Sequence, residues 1–516
     1  MLHWSLDKPL NMSNRAEGID IKVARLLRGE APRVLDLFAG CGGLSLGFKL
    51  AGFDITAAVE IDKKAVQTHA KNFHGDCSNE LFEIHATPTN IIEVEPSELF
   101  GRFEINNPED VIDFIIGGPP CQAFARVGRA KLREVAEDPQ AFLSDPRSNL
   151  YLRYLEYVEA CNPLGILMEN VPDVLNFGGH NIAEEVCEVL EELGYDCQYT
   201  LLNSAYYGVP QMREWMFLVA FKKELKIKFT FPRPTHYIDL PVGYEGSRNV
   251  ALKYIRNDIF NSTYRFVEPP DADRYKPAAV TTRDAISDLP KLTKHLAGKG
   301  KKGARRFDTL VPYPLDCNLS SYSKFMREFP GFENREKGIY DHVIRHLPRD
   351  YAIFASMREG DQYPEAHKVA LKLYELEILD LERNGKQLTV SRKKEIFKSM
   401  VPPYDPTKFP NKWRKLEYDM PSRTLLAHLG KDSYSHIHPD STQARTISVR
   451  EAARLQSFPD GFKFSGAMNS AFKQIGNSVP PLMAFAIAEK MMMHLNTNQP
   501  NKKYEGQNCY QEADKV

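Results

Sequence analysis

The segment Val34-Leu-Asp-Leu-Phe-Ala-Gly-Cys-Gly-Gly-Leu-Ser-Leu-Gly-Phe48 constrains the fold of this chain more than any other. An apolar run of strand character passes directly into a turn holding Gly40, Gly42 and Gly43, and an amphipathic stretch follows. A strand that feeds a helix through a glycine turn is the opening unit of a parallel sheet with helices on its faces. The pattern recurs, because Val34 to Phe38, Ile55 to Val59, Val111 to Ile116, Gly165 to Met168 and Trp215 to Phe221 have strand character, with helix-like segments between several of them. The expected fold is α/β, a doubly wound, mainly parallel sheet accompanied by a second, smaller domain. Ligands of such sheets sit beyond the carboxyl ends of the strands, so the turns after each strand are where chemistry is expected.

After Phe221 the alternation breaks into irregular sequence rich in Pro, Tyr and charge that runs to about Asp440 without a clear repeat. Within it, Lys291 to Arg306 carries Lys291, Lys294, Lys299, Lys301, Lys302, Arg305 and Arg306 and no acidic residue, a solvated loop or a phosphate-contacting surface. With 516 residues, 42% hydrophobic and 26% charged, two globular domains are the natural expectation. The net charge of −1 excludes a chain that coats polyanions by bulk charge and leaves only a local basic face for such a role. No run of about 18 apolar residues appears, and Met1 to Asp20 lacks a basic start followed by an apolar core, so neither a membrane span nor a secretory signal is expected. The eight cysteines are scattered, with no C-x-x-C pair and no Cys/His cluster at zinc spacing, so no metal site and no disulfide framework is expected.

Three features carry chemistry. Glycines at a strand-to-helix turn let a ligand approach the backbone, and the absence of Gly-Lys-Ser/Thr excludes a triphosphate P-loop. The next strand ends at Glu60, where a carboxylate about 20 residues past a glycine turn is placed to accept hydrogen bonds from ribose hydroxyls. Third, Gly117-Gly-Pro-Pro-Cys-Gln-Ala-Phe124 sets Cys121 on a proline-stiffened loop at a strand end, and Met168-Glu-Asn-Val-Pro172 delivers Glu169 to the same sheet edge. A nucleophile and a carboxylic acid facing one cavity suit conjugate addition to a ring whose nitrogen must be protonated.

On these residues the chain resembles the C5 cytosine-specific DNA methyltransferase family, of the bacterial restriction-modification type. Asp36-Leu-Phe-x-Gly-x-Gly-Gly43 is similar to its S-adenosylmethionine loop, Pro120-Cys-Gln122 to its nucleophile motif and Glu169-Asn-Val171 to its acid motif. Asp145-Pro-Arg-Ser-Asn-Leu150, Tyr207-Gly-Val-Pro-Gln-Met-Arg213, Arg450-Glu-Ala-Ala-Arg-Leu-Gln-Ser-Phe-Pro459 and Gln474-Ile-Gly-Asn-Ser-Val-Pro480 follow in the family's order. The resemblance implies that Cys121 attacks cytosine C6, that Glu169 holds or donates a proton at N3, and that Arg213 completes the catalytic set. It implies S-adenosylmethionine as cofactor, held by Phe38, Gly40, Gly43, Glu60, Ile61, Asn90, Pro120, Leu150, Asn477 and Ser478, with Phe38 against the adenine and Glu60 on the ribose. Since C6 is unreachable in a base stack, the target base must be flipped out of the duplex. The loop from Phe124 to Asp145, with Arg126, Arg129, Lys131 and Arg133, is expected to close over the DNA.

Three positions depart from the family pattern. Asn90 stands where Asp is usual before Ile91, Ala125 replaces the serine after Pro-Cys-Gln-x-Phe, and Trp215 replaces the second Arg of Gln-x-Arg-x-Arg. Residues two apart on a strand share a face, so Arg213 and Trp215 are both expected to look toward the catalytic pocket. Residues 1–224 are expected to form the first part of the catalytic domain, 225–465 the target-recognition domain, 466–495 the returning catalytic segment and 496–516 a disordered tail. The expected partner is double-stranded DNA, with a possible cognate restriction endonuclease and no membrane, for a monomer of the cytoplasm that joins the nucleoid when bound to DNA. Two rivals remain open: the same chemistry on tRNA, against which the long insert weighs, and a non-enzymatic DNA-binding relative, for which Trp215 is the best argument.

Overall fold

The computed structural model describes residues 12–120, 149–177, 180–241, 244–253, 255, 264–299, 307 and 309–497. They fall into two units, one of Met1–Gly208, Met212–Ala278 and Ser478–Val516, the other of Val209–Gln211 and Ala279–Asn477.

The first unit is built on a six-stranded sheet of β1 (Arg33–Leu37), β2 (Asp54–Val59), β3 (Phe114–Gly117), β4 (Gly165–Asn170), β5 (Tyr195–Asn203) and β6 (Glu214–Lys222). Their order is β2-β1-β3-β4-β6-β5. The first four run parallel, with Leu35 opposite Ile115 and Ile116 opposite Leu167, and β6 then pairs antiparallel to both β4 and β5. Buried side chains on both faces of β1, β3 and β6 explain why these segments are nearly continuous apolar runs rather than alternating ones. Flanking the sheet are α1 (Met12–Leu27), α2 (Gly43–Leu50), α3 (Lys63–Phe73), α4 (Asn79–His85), α5 (Asn149–Cys161) and α6 (Ile182–Glu192). The fold is thus the mainly parallel α/β sheet expected from the sequence, with a mixed edge.

Two elements differ from expectation. The strand expected from Val111 starts only at Phe114, because Pro108–Val111 forms a helical turn with Pro108 in its first turn and Asp113 is spent on Arg25, 2.6 Å away in a buried ion pair. The nine-residue β5 was not expected; it is no apolar run, because Asp196, Gln198 and Thr200 alternate with Tyr195, Cys197, Tyr199 and Leu201 at the strand period. Residues 264–267 extend the β5 edge, since Tyr199 N–H donates to Arg265 O at 3.1 Å and Val267 N–H to Tyr199 O at 2.9 Å. The Arg265 guanidinium pairs with Glu184 and Glu191 of α6, so this stretch past residue 224 packs with the sheet. The chain returns to this unit at Ser478, and its closing helix, Pro481–Thr497, lies against α2 so closely that a Cβ on Gly47 would stand 2.4 Å from that of Ala484.

The second unit has little regular structure beyond α7 (Tyr363–Arg383), α8 (Val390–Met400), α9 (Val449–Leu455) and α10 (Met468–Asn477). One core gathers Trp413, stacked on Tyr434 at 4.5 Å, with Phe354, Tyr363 and Ile437. Around α9 the charges are buried as pairs: Arg445 on Glu451 at 2.6 Å, Arg450 on Asp341 at 2.7 Å, and Arg454 between Asp460 at 2.6 Å and Asp288 at 3.2 Å. Arg450, Glu451 and Arg454 of the late motif therefore act within the fold, where each buried charge needs its partner. No helix among the described residues is long and apolar enough to cross a membrane.

Candidate active site

The carboxyl ends of β1 to β4 carry most of the residues the sequence singles out. At the end of β1, Phe38 holds a left-handed backbone, φ +59°, a conformation that non-glycine residues rarely adopt outside sites that need it. Gly40 follows at φ +57°; a Cβ there would meet no protein atom within 4 Å, so backbone conformation, not crowding, calls for glycine. Gly43 is required for the opposite reason, since its Cβ would lie 2.2 Å from the Val479 carbonyl oxygen. That close approach seats Ser478 against the first turn of α2, and its hydroxyl lies 3.0 Å from Cys41 Sγ.

Glu60, just past β2, ties this turn together. Its Oε2 accepts the Gly40 N–H at 2.9 Å and its Oε1 the Asp62 N–H at 2.6 Å. A carboxylate offers about four lone pairs, so each oxygen keeps capacity for a ligand hydroxyl. Next to it Ile61 is 62% exposed, an apolar side chain turned to solvent beside a polar anchor. Asn90 is committed locally: its amide donates to Glu93 at 2.6 Å and its oxygen accepts the Ile92 N–H at 3.2 Å. Leu150 packs half-buried against the sheet core, while Pro120 and Asn477 are exposed.

Beneath the turn lies a buried polar chain to which the sequence reading assigned no role. Ser45 of α2 donates to Asp36 Oδ2 at 2.5 Å and stands 2.9 Å from His69 Nε2. Burial pushes the Asp36 carboxyl up to about 8, with the Ser45 hydrogen bond opposing it. Asp36 Oδ1 has no partner among the described residues. The only signal in the sequence was a charged residue inside an apolar strand.

Glu169, at the end of β4, is held where its carboxyl meets the loop leaving β3. A Cβ on Gly118 would fall 1.9 Å from Glu169 Oε1, so any other residue there would push the carboxyl out of this position. The neighbouring Asn170 donates from Nδ2 to the Pro119 carbonyl at 2.7 Å, which fixes the Gly-Pro-Pro segment to β4. Burial raises the Glu169 carboxyl to about 7, against the opposing pull of the Arg213 cation. Its Oε2 is buried and without a hydrogen-bond partner among the described residues. A carboxylic acid in this state can carry a proton at neutral pH. Arg213 is itself lowered to about 10 by burial, with Glu169 raising it.

The Arg213 guanidinium lies over the Trp215 ring, 3.9 Å from its centroid, so the two do share a side. Trp215 is 2% exposed, with Nε1 unpartnered among the described residues. Gln211 of the same motif packs in the second unit, accepting the Leu425 N–H at 3.0 Å and donating to Gln456. Cys121, Gln122 and the loop carrying Arg126, Arg129, Lys131 and Arg133 lie outside the described residues, as do Lys301, Lys302, Arg305 and Arg306. Lys291 is described and pairs with Asp440 at 3.2 Å, within the second unit.

The family model for C-5 cytosine-specific DNA methylase matches residues 32–493. Among curated proteins, M.OihORF3336P of Oceanobacillus iheyensis is 40% identical over 466 residues, covering 90% of this chain and 96% of its own length. The type II methyltransferase M.AgeI of Thalassovita gelatinovora is 29% identical over 490 residues, covering 90% of this chain and all of its own. A prophage-encoded Escherichia coli protein of known crystal structure has the same fold at a TM-score of 0.56, with 24% identity over 90% of this chain and 100% of that one. The chain therefore belongs to the C-5 cytosine-specific DNA methylase family and is a DNA (cytosine-5-)-methyltransferase.

Proposed function

We propose that this chain methylates carbon 5 of a cytosine flipped from a specific duplex sequence, with Cys121 as nucleophile, Glu169 as the acid at N3 and Arg213 as the cation that orients Glu169. The observation that carries this is the Glu169 carboxyl, buried, raised to about 7 and left with one oxygen unpartnered among the described residues. Such a group donates a hydrogen bond to a ring nitrogen or takes on that nitrogen's charge as the thiolate adds to C6. With C6 bonded to sulfur, carbon 5 becomes a nucleophile. Loss of its proton after methylation, followed by departure of Cys121, restores the aromatic ring. An ordinary thiol is only a few per cent thiolate at neutral pH, so the pocket must favour the ionised form of Cys121.

S-adenosylmethionine supplies the electrophilic methyl. Its ribose hydroxyls would meet Glu60 and its adenine Phe38 and Ile61, while Gly40 and Gly43 leave the backbone open to approach; Pro120, Leu150, Asn477 and Ser478 are the further cofactor contacts that the family resemblance implies. The left-handed Phe38 and the exposed Ile61 fit such a ligand, since both set apolar surface beside a carboxylate. Asn90, bonded to Glu93 and to the Ile92 N–H, would meet the adenine only through the capacity those bonds leave.

We further propose that residues 225–465 carry target recognition and 1–224 with 466–495 catalysis, in a cytoplasmic monomer that acts on duplex DNA beside a cognate endonuclease. The test is transfer of tritiated methyl to duplex DNA or to tRNA, followed by hydrolysis and separation of the bases. Label in 5-methylcytosine from DNA is expected. Label only from tRNA, or from neither, would replace this function with RNA methylation or a purely binding role.

A further inference from the structure

The turn His74-Gly-Asp-Cys-Ser78 joins α3 to α4, and His85 is the last residue of α4. This brings His74, Cys77 and His85 together, with one ring nitrogen of each histidine and the Cys77 sulfur all within 4.8 Å of one another. Both imidazoles are 6% exposed and Cys77 is half-buried. The rings stack with centroids 3.5 Å apart and planes 5° from parallel. His74 Nε2 and His85 Nδ1 are buried and have no hydrogen-bond partner among the described residues. A neutral imidazole keeps one ring nitrogen with a free lone pair, and burial disfavours the charged form of both rings.

Buried polar atoms are ordinarily paired, and two orphaned ring nitrogens side by side are a cost that packing alone does not offset. Two neutral imidazoles and a thiol are, however, the donor set of a borderline-soft divalent ion. We propose that His74, Cys77 and His85 bind one zinc-class divalent cation, with a fourth position left for water or another ligand. Parallel rings aim their lone pairs side by side, so binding turns at least one ring out of the stack. The thiol is bound as thiolate and its proton is released to solvent.

The place of the site gives the ion a structural role. It would clamp the end of α3 to α4, and the last turn of α3 lies directly under the glycine turn. A Cβ on Gly42 would meet Phe73 Cε2 at 2.4 Å and His69 Cδ2 at 3.1 Å, and His69 reaches Ser45 and through it Asp36. The spacing His-x2-Cys-x7-His did not mark the cluster in the sequence, because α4 is what carries His85 back.

The test uses the full chain, stripped with a chelator and titrated with cobalt(II) and then with zinc. Wild type is expected to take up one cobalt per chain, with the visible bands of tetrahedral cobalt and a thiolate charge-transfer band, all displaced by zinc. Zinc should also raise the thermal midpoint of the stripped protein. Cys77→Ser, a near-isosteric change at a half-buried position, should abolish the charge-transfer band and weaken zinc binding about tenfold or more while leaving the circular dichroism unchanged. His85→Gln should lose the visible bands, and if that variant fails to fold, Cys77→Ser decides alone. No stoichiometric cobalt on wild type, or a charge-transfer band that persists in Cys77→Ser, would overturn the site; the latter would point to one of the other seven cysteines.

Discussion

Gly118→Ala tests whether the position of the Glu169 carboxyl, and not only its presence, sets the rate. The backbone at Gly118 lies outside the left-handed region, so alanine is conformationally acceptable there. The new methyl, however, would stand 1.9 Å from Glu169 Oε1, 2.7 Å from Cδ and 3.0 Å from Cγ, where ordinary contact begins at 3.4 Å. The carboxyl must retreat by about 1.5 Å from the place where it would meet N3. Misplacement of a reacting group by about 1 Å costs roughly a hundredfold in rate, or about 2.7 kcal/mol of barrier. The assay is single-turnover methylation of duplex DNA with enzyme in excess, alongside thermal unfolding and cofactor titration. A loss near a hundredfold is expected, with stability changed by about 1 kcal/mol or less and cofactor affinity within about threefold. A rate within about threefold of wild type would refute the reasoning. So would a rate loss matched by an equal loss of cofactor binding.

Further outcomes follow from the same geometry. Glu169→Gln should abolish methylation yet stabilise the fold: the folded carboxyl binds its proton more tightly than the unfolded one, so wild type loses stability as pH rises from its ordinary value of 4.5 through about 7, and glutamine does not. Melting curves across that range should show the gap between the two proteins widening toward high pH. Trp215→Ala should cost about 3–5 kcal/mol, because the ring is buried beneath Arg213. Trp215→Phe should keep the fold and lower the single-turnover rate by loosening Arg213, and an unchanged rate would leave Trp215 as core filling. Arg454→Ala should destabilise the second unit by about 3–5 kcal/mol by stranding Asp288 and Asp460, read by denaturant unfolding. Neutralising Lys301, Lys302, Arg305 and Arg306 together should weaken binding equally on cognate and unrelated DNA and flatten its salt dependence; an unchanged salt slope would mark the run as a solvated loop.

What the sequence disclosed and what it concealed divide along physical lines. The strands β1, β4 and β6 were legible because burial on both faces demands nearly continuous apolar runs, and β2 because Ile55 to Val59 is mostly apolar. The glycine turn was legible because left-handed backbone selects glycine. β5 differs from the other strands in alternating apolar with polar residues instead of running apolar, and the start of β3 was hidden by Asp113, whose place in an ion pair with Arg25 is fixed 88 residues away. Glu169 could be picked from its motif, yet the need for glycine at position 118 is a contact between two separate strand ends and has no sequence period. Trp215 stood out as a departure, and it shares a side with Arg213 as residues two apart on a strand should; its burial under Arg213 depends on tertiary packing. The late motif could be placed by its resemblance, but the burial of its charges could not, since Arg450 pairs with Asp341 and Arg454 with Asp288, both far away in sequence.

The most direct test of the central claim is covalent capture. DNA in which cytosine is replaced by 5-fluorocytosine should trap the wild-type chain in the presence of S-adenosylmethionine, because the fluorine on carbon 5 cannot leave as a proton does. Peptide mapping by mass spectrometry is expected to place the adduct on Cys121, and Cys121→Ala should form none while still binding the cofactor. An adduct on any other residue, or methyl transfer to ordinary DNA by Cys121→Ala, would contradict a mechanism that runs through this thiol.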